Sequence, residues 1–148
     1  MGGRESDQWF GLMAFARVAQ IAGALDAALA LSVAYANDRV QFGRPLGKFQ
    51  AVQQSLASFA CEAAAANCAA MGAAQALDRV DAEFEFAAAK LRANRAVEVG
   101  TTVAHQAHGA IGFTHGYCLQ PLTPRLCLRL PDFGNDTPWS VRLRPPVW

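Results

Sequence analysis

The chain has 148 residues and a formal net charge of +1 at pH 7, which suits one domain of ordinary size. Hydrophobic residues make up 53% of it and charged residues 17%, so it can bury a core and is unlike a disordered chain. The balanced charge leaves no excess of cations for a phosphate backbone, so we expect no nucleic-acid partner.

The composition is dominated by alanine, with 31 alanines against two tyrosines. Alanine is the best helix former, whereas strands favour aromatic and β-branched residues. The sequence therefore predicts an all-α fold. We expect a single domain over residues 1–148, with an irregular tail at 132–148.

The first predicted helix runs from about Ser6 to Asn37. Ser6 or Asp7 can cap it, because either side chain accepts hydrogen bonds from the backbone N–H groups of a first helical turn. Apolar residues recur at steps of three or four, which predicts one buried face. The residues of that face are Leu12, Phe15, Ala19, Ala22, Leu25, Leu29, Val33 and Ala36.

Two further long helices are predicted, from about Lys48 to Leu77 and from Asp81, a candidate cap, to about Ala107. A short helix over Arg125–Leu130 supplies a fourth element, so we expect an up-down-up-down four-helix bundle. The second helix has a mostly alanine face that lets a neighbour approach closely. The predicted faces are Phe49, Val52, Leu56, Phe59, Ala63, Ala66, Ala70, Ala73 and Leu77, then Phe84, Ala88, Leu91, Val99 and Val103.

The cellular location is predicted from the cysteines and the apolar runs. Polar residues, among them Arg17, Gln20 and Asp26, interrupt the longest apolar stretches, so we expect no bilayer-spanning segment and no membrane partner. The chain opens without a secretion segment, and its cysteines form no CxxC pair. Reduced thiols in a cytoplasmic protein are therefore expected for Cys61, Cys68, Cys118 and Cys127.

Two segments are unusually polar and rich in glycine for a bundle: 39–50, the first polar segment, and 106–114, the second. The first offers a guanidinium, amides, an aromatic ring and free backbone N–H groups, which suit a phosphate-bearing cofactor. The glycines of the second let a ligand approach the main chain. Turns of this kind more often only reverse the chain, so both interpretations stay open at this point.

Motifs for other chemistry are missing from the sequence. His105 and His108 have an i, i+3 spacing, but no third ligand is suggested, and no Glu-x-x-His pair exists for a two-metal site. We therefore expect a helix-end histidine pair and no metal. Signatures of serine hydrolases, P-loops and zinc proteases do not occur either.

The strings RVQFGRPLGKFQ and HQAHGAIGFTHGY, separated by two alanine-rich helices, make the chain similar to the C-terminal helical domain of the acyl-CoA dehydrogenase family. The likeness extends from about Arg17 to Trp139. It implies a four-helix bundle that normally follows an N-terminal helical domain and a middle β-domain. Such enzymes oxidise an acyl-CoA thioester between its α and β carbons, passing a hydride to FAD and later electrons to an acceptor flavoprotein.

The resemblance also implies site residues. Arg39 matches the arginine that pairs with the FAD pyrophosphate of the adjoining subunit, a task that suits a planar, permanent charge. Gln106 matches the glutamine that begins a Q-x-x-G-G-x-G pattern near the adenosine half of FAD, although Ala110 replaces its second glycine. The remaining matches are Gln41, Phe42 and Gln50 in the first polar segment and Gly109 and Gly112 in the second.

The catalytic base is where the sequence departs from the family. Many members carry a glutamate in an I-Y-E-G-T segment, which removes the α proton, and this chain has no such segment. By comparison with a subgroup ending in W-R-D-E-F-G, Asp132 stands at the glutamate position, although a surface aspartate is the commoner reading. Glu62 and Glu98 are the alternatives on earlier helices, and the sequence does not decide among the three.

One bundle cannot enclose both FAD and an acyl-CoA, so the isolated chain is expected to be inactive. The first hypothesis is a helical domain or small subunit of a flavin-dependent acyl-CoA dehydrogenase. The second is a non-catalytic assembly module, and the third is an unrelated bundle with the two polar segments at opposite ends. Alanine-faced helices, with Trp139 and Trp148 in the tail, lead us to expect at least a homodimer. The resemblance implies a larger acyl-CoA dehydrogenase subunit as a further partner.

Overall fold

The computed structural model describes residues 2–79, 82–129, 131–132 and 136–143, with the side chains of 2–8, 129 and 138 left aside. Its helices are α1 (Gly2–Asp38), α2 (Gln50–Gln75), α3 (Glu83–His108), α4 (Thr123–Arg129) and α5 (Asp136–Arg142). Two two-residue strands, β1 (Val40–Gln41) and β2 (Arg44–Pro45), and two 3₁₀ turns, Leu46–Lys48 and Gly109–Phe113, complete the described part.

The all-α prediction is confirmed, and the helix count differs in detail. Three long helices form the bundle, α4 stands where the fourth helix was expected, and α5 is an additional short helix in the predicted tail. α1 begins at Gly2, so the predicted start at Ser6 or Asp7 is wrong by about one turn. The proposed cap Asp81 lies outside the described residues.

The three long helices alternate in direction. Gly11 in the first part of α1 lies against Phe86 at the start of α3, and Tyr35 near the end of α1 lies against His108 at the end of α3. α1 and α3 are therefore parallel, and α2 runs between them in the opposite direction. As a result both polar segments, 39–50 and 106–114, lie at the same end of the bundle.

The core is built where the three helices come closest. At Gly100 of α3 there is no room for a methyl group, because a Cβ there would lie 2.5 Å from Phe59 of α2 and 2.9 Å from Leu25 of α1. The alanine face predicted for α2 is confirmed. Its buried members are Phe59, Ala63, Ala66 and Ala73.

The faces predicted for α1 and α3 need correction. Ala19 and Val33 of α1 are exposed, and Phe84 of α3 is 61% exposed. α3 packs against both other long helices, so it buries several sides rather than one stripe. The buried α1 residues are Ala14, Val18, Ile21, Ala22, Leu25, Ala28, Ser32 and Ala36.

The tail is partly helical rather than irregular, because α5 occupies Asp136–Arg142. Trp139 in α5 is 1% exposed and stacks on Phe10 of α1, with ring centroids 5.5 Å apart. Its own chain therefore covers Trp139, and this indole offers no apolar surface for the expected dimer. Trp148 lies outside the described residues.

The apolar length of α1 bears on the prediction that no segment spans a bilayer. The stretch Trp9–Asp38 is long and apolar enough to cross a bilayer when judged by length and composition, with a window of mean hydropathy 1.5. One third of that window is buried inside the protein. The polar interruptions in the sequence therefore do not exclude a span, and the absence of a membrane partner stays a prediction.

Candidate functional site

The first polar segment folds into a tight hairpin. Val40 pairs with Pro45 and Gln41 with Arg44, and Phe42 and Gly43 make the turn. Gly43 has φ +78° and Phe42 has φ +53°, a conformation that costs about 1–2 kcal/mol for a residue with a Cβ. The Phe42 ring is 89% exposed. The chain thus holds an aromatic side chain out in solvent at a strained position, which is a common property of functional sites.

Arg39 begins the hairpin and is exposed. Its backbone N–H donates to the Tyr35 carbonyl at 2.9 Å, and its carbonyl accepts the N–H of Leu46 at 2.9 Å. No acidic side chain in the described part of the chain pairs with its guanidinium. The backbone is therefore fixed on both sides while the charge remains available to an anion.

Arg44 is oriented by the chain itself. Its guanidinium carbon lies 4.1 Å from the centre of the Phe49 ring, and Phe49 meets Phe42 edge-on at 6.2 Å. The segment therefore contains two arginines in different settings. Arg44 is stacked on an aromatic ring, whereas Arg39 is the one that the sequence predicted as a ligand.

The second polar segment turns sharply at Gly109, where φ is +61°. A Cβ at Gly109 would meet nothing within 4 Å, so the backbone conformation, not crowding, requires glycine. Gly112 is different, because a Cβ there would lie 3.1 Å from His108 and 3.3 Å from Leu119. Its glycine is thus explained by packing within the chain, and its contact with a cofactor stays a prediction.

The structure brings the two polar segments together at one end of the bundle. Gln106 lines a hollow of about 150 Å³ between the end of α3 and the first turns of α2, where Ser55 and Ala51 face it. Gln50, predicted from the first segment, directly precedes Ala51 in the chain. This arrangement contradicts the hypothesis of an unrelated bundle with the segments at opposite ends.

Seven of the eight residues predicted to bind a cofactor are exposed, and only Gly112 is buried. Tyr35 contacts both segments and was not predicted from the sequence. One signal could have found it, since it is one of two tyrosines and lies one helical turn before Arg39. The exposed seven are Arg39, Gln41, Phe42, Gln50, Gln106, Gly109 and Ala110.

The two histidines at the end of α3 contact different partners. The His105 Nε2 atom lies 3.0 Å from the Thr123 hydroxyl, and the ring stacks on Phe113 at 4.2 Å. His108 donates from Nδ1 to the Ala104 carbonyl at 2.8 Å. Within the described residues, no three His, Cys, Asp or Glu side chains gather as a metal site would require.

A larger hollow of about 370 Å³ borders His105, between the end of α3 and α4. Burial lowers the pKa of the His105 imidazole, and the nearby His108 lowers it further. The ring is therefore neutral near pH 7. Threonines, Gln120 and Cys127 also line this hollow, and none of its lining side chains is an acid, lysine or arginine.

Asp132 is held in an ion pair. Its Oδ2 atom lies 3.2 Å from the Nε atom of Arg17. Lys90 is fully buried, and burial lowers its pKa while Asp132 and Asp136 oppose that shift. This geometry favours a role for Asp132 in holding the tail to α1 and α3, and its role as a base stays a prediction.

The other two candidate bases also have arginine partners. Glu62 on α2 pairs with Arg92 on α3, which links the two helices. Glu98 pairs with Arg95 at 3.6 Å on the exposed side of α3. Neither glutamate lines the two hollows described above, so the geometry does not select a base from them.

Comparison with known proteins decides the family. Residues 5–126 match the family described as "Acyl-CoA dehydrogenase, C-terminal domain". The chain belongs to the acyl-CoA dehydrogenase family. The match covers both polar segments and all three long helices of this acyl-CoA dehydrogenase domain.

Curated relatives are similar over part of their length. Acryloyl-CoA reductase (NADH) of Anaerotignum propionicum is 36% identical over 104 residues, 69% of this chain and 26% of the relative. Glutaryl-CoA dehydrogenase of Desulfococcus multivorans is 35% identical over 113 residues, 73% of this chain and 29% of the relative. The chain thus spans less than a third of the length of these acyl-CoA dehydrogenase relatives.

Solved structures share the fold. A glutaryl-CoA dehydrogenase bound to glutaryl-CoA superposes with a TM-score of 0.91 at 28% identity, covering 96% of this chain and 36% of that one. The ChsE4-ChsE5 complex from Mycobacterium tuberculosis gives 0.87 at 25% identity, covering 90% and 37%. The arrangement of helices is therefore that of the acyl-CoA dehydrogenase C-terminal domain.

The exposed residues fit the flavin that the family implies. A free guanidinium at Arg39 suits a pyrophosphate, the amides of Gln41 and Gln106 can donate and accept, and Phe42 offers an uncovered ring face. The open space over Gly109 lets a ligand reach the backbone. These hydrogen-bonding groups, the exposed ring and the open backbone at Gly109 therefore fit a dinucleotide.

Proposed function

We propose that this chain supplies the C-terminal helical domain, or a small subunit, of a flavin-dependent acyl-CoA dehydrogenase that desaturates an acyl-CoA thioester. The observation that carries the proposal is the convergence of Arg39, Phe42 and Gln106, all exposed, at one end of the bundle. FAD, when bound, would supply the hydride-accepting chemistry of the reaction.

The chain's own residues would bind and orient the cofactor. Arg39 would neutralise the pyrophosphate as a charged fork fixed at its backbone, and Gln106 would hydrogen-bond the adenosine half from the hollow shared with Ser55. Phe42 would cover part of the cofactor against water. Gln41, Gln50 and the backbone of Gly109 and Ala110 would complete this side.

The remaining walls would come from other domains. The chain spans 26–29% of the curated relatives above, and its predicted cofactor residues are exposed. We therefore propose that FAD is shared with another chain or domain, that the isolated chain is inactive, and that it assembles at least as a dimer. One of the solved relatives is a complex of two proteins, ChsE4 and ChsE5. We also propose that the complete enzyme takes an acyl-CoA as its substrate.

The same proposal includes a cytoplasmic location. All four cysteines are free and exposed, and unpaired exposed thiols persist best in a reducing compartment. Alkylation of intact and permeabilised cells with a thiol reagent that does not cross membranes tests the location. Labelling of the chain in intact cells would contradict it.

The experiment mixes the chain with a protein that carries the missing N-terminal and middle domains and titrates FAD, following flavin fluorescence. We expect tight FAD binding in the mixture and at least about tenfold weaker binding for Arg39→Gln, since a charge-assisted contact contributes about 1.5–3 kcal/mol. Arg95→Gln is the matched control, because it removes one exposed charge from the middle of α3.

The alternative is a non-catalytic assembly module. It would show itself as a stable complex with the partner protein and no FAD binding, with Arg39→Gln indistinguishable from Arg95→Gln. Sedimentation of the chain alone as a 15.8 kDa species would contradict the proposed self-association and would leave the flavin proposal intact.

A further inference from the structure

A cluster of three aromatic rings connects the end of α1 to the second polar segment, to which one of the rings, His108, belongs. The His108 ring stacks on Tyr35 with centroids 4.6 Å apart and an interplanar angle of 28°. Tyr117 meets His108 at 5.2 Å and Tyr35 edge-on at 6.2 Å. These three side chains are called the aromatic cluster below.

Each member of the stacked pair is joined to one polar segment. The Tyr35 carbonyl accepts the backbone N–H of Arg39 at 2.9 Å, so Tyr35 fixes the residue where the hairpin begins. His108 is the last residue of α3, and Gly109, with φ +61°, follows it directly. The contact between the two rings therefore connects the start of the first polar segment to the glycine turn of the second.

His108 is buried to an extent that a surface helix end does not require. It is 3% exposed, and its Nδ1 atom lies 2.8 Å from the Ala104 carbonyl. A carbonyl only accepts, so Nδ1 carries the hydrogen and Nε2 holds the lone pair in the neutral ring. No described residue hydrogen-bonds Nε2. The imidazole is thus fixed in rotation by one hydrogen bond and by its two aromatic neighbours.

Burial also favours the uncharged form of one member, Tyr117. It raises the pKa of the Tyr117 hydroxyl, and Tyr35, Cys118 and Asp38 add smaller contributions in the same direction. The cluster is rigid around His108, because this buried ring packs against both tyrosine rings and has few alternative rotamers. Rigidity here fixes the spacing of the two segments.

We propose that His108 is a positioning residue that couples the two polar segments, so that they present one continuous surface to a dinucleotide. For its ligand the inference rests on the function proposed above. The coupling itself is a property of the free chain. It does not depend on which ligand binds.

The test measures hydrogen exchange of the backbone amides of Arg39, Leu46 and Thr114 in the full 148-residue chain without ligand. These amides lie in the two polar segments and donate to the carbonyls of Tyr35, Arg39 and Ile111, respectively. We expect His108→Ala to speed their exchange by about tenfold or more beyond its effect on global unfolding. His108→Phe keeps the ring stack and should preserve most of the protection.

Phe86→Ala is the matched control, since Phe86 is a buried ring at the other end of α3. It should lower global stability and leave the ratio of local to global exchange unchanged. If His108→Ala fails to fold, Tyr35→Leu breaks the same contact from the α1 side and should give the same local loss. Equal local-to-global ratios in the His108 or Tyr35 variant and in Phe86→Ala would overturn the proposal.

A second measurement separates this inference from the proposed function. FAD is titrated into the complex with the partner domains, for the wild-type chain, His108→Ala and His108→Phe. Weaker binding for His108→Ala, with recovery in His108→Phe, supports the positioning role. No FAD binding by the wild-type complex would refute the proposed function, and the exchange data would still decide the coupling.

Discussion

Trp139 in the last helix stacks on Phe10 in the first, with centroids 5.5 Å apart and rings 17° from parallel. The indole is 1% exposed, and the Arg142 guanidinium lies 5.1 Å from it and 5.6 Å from Phe10. This contact fastens the end of the described chain to its beginning. α5 is therefore part of the core despite its seven residues.

Trp139→Ala should lower the free energy of unfolding by about 3–5 kcal/mol, because it removes a large buried side chain and leaves a cavity. Urea denaturation followed by circular dichroism measures the loss. Trp9→Ala is the matched control, since Trp9 is 68% exposed and its removal should cost less than about 1 kcal/mol. Similar losses for both variants would contradict the internal role of Trp139.

The sequence predicted the helices well and their buried faces less well. α1 is apolar on more than one side, so both the predicted stripe and the observed one, which includes Ala14, Val18 and Ile21, satisfy helical spacing. Only packing against two neighbours decides between them. α3 buries Lys90 and Asn94, and hydrophobic periodicity cannot find polar residues in a core.

The polar segments were recognisable from their residues, but their geometry was not. Gly43 and Pro45 indicated a turn. The positive φ of Phe42 could not be predicted, because phenylalanine rarely adopts this conformation. The link through Tyr35 and His108 joins residues more than seventy positions apart. Such a contact follows from the parallel arrangement of α1 and α3, which spacing along the chain does not contain.

Two glycine substitutions should have opposite effects. Gly100→Ala places a methyl group 2.5 Å from Phe59 and 2.9 Å from Leu25, and overpacking of this kind costs about 1–3 kcal/mol. Gly23 in α1 has nothing within 4 Å of a built Cβ, so Gly23→Ala should gain up to about 1 kcal/mol of helix propensity. Thermal or urea unfolding measures both, and a stabilised Gly100→Ala chain would refute the close three-helix contact.

His105 should make stability depend on pH. Its folded-state pKa lies below the usual value of 6.5, so between those two values the unfolded chain binds more protons than the folded one. The free energy of unfolding therefore falls as pH falls through that window. Urea titrations at pH 7 and pH 5 should show a smaller difference for His105→Gln than for the wild type. An unchanged pH dependence in His105→Gln would contradict the assignment.

The backbone conformation of Phe42 should lower the free energy of unfolding, and a residue that adopts positive φ more easily should restore it. Its φ of +53° is easier for asparagine, and its ring is 89% exposed, so Phe42→Asn should raise the free energy of unfolding by about 0.5–1 kcal/mol. Phe84→Asn is the control, because Phe84 is also mostly exposed and sits in an ordinary helical turn of α3; it should bring no gain. If Phe42 covers the flavin as proposed, Phe42→Asn should at the same time weaken FAD binding in the complex with the partner domains. A chain that is stabilised and still binds FAD at wild-type strength would show that the strained phenylalanine serves no cofactor contact.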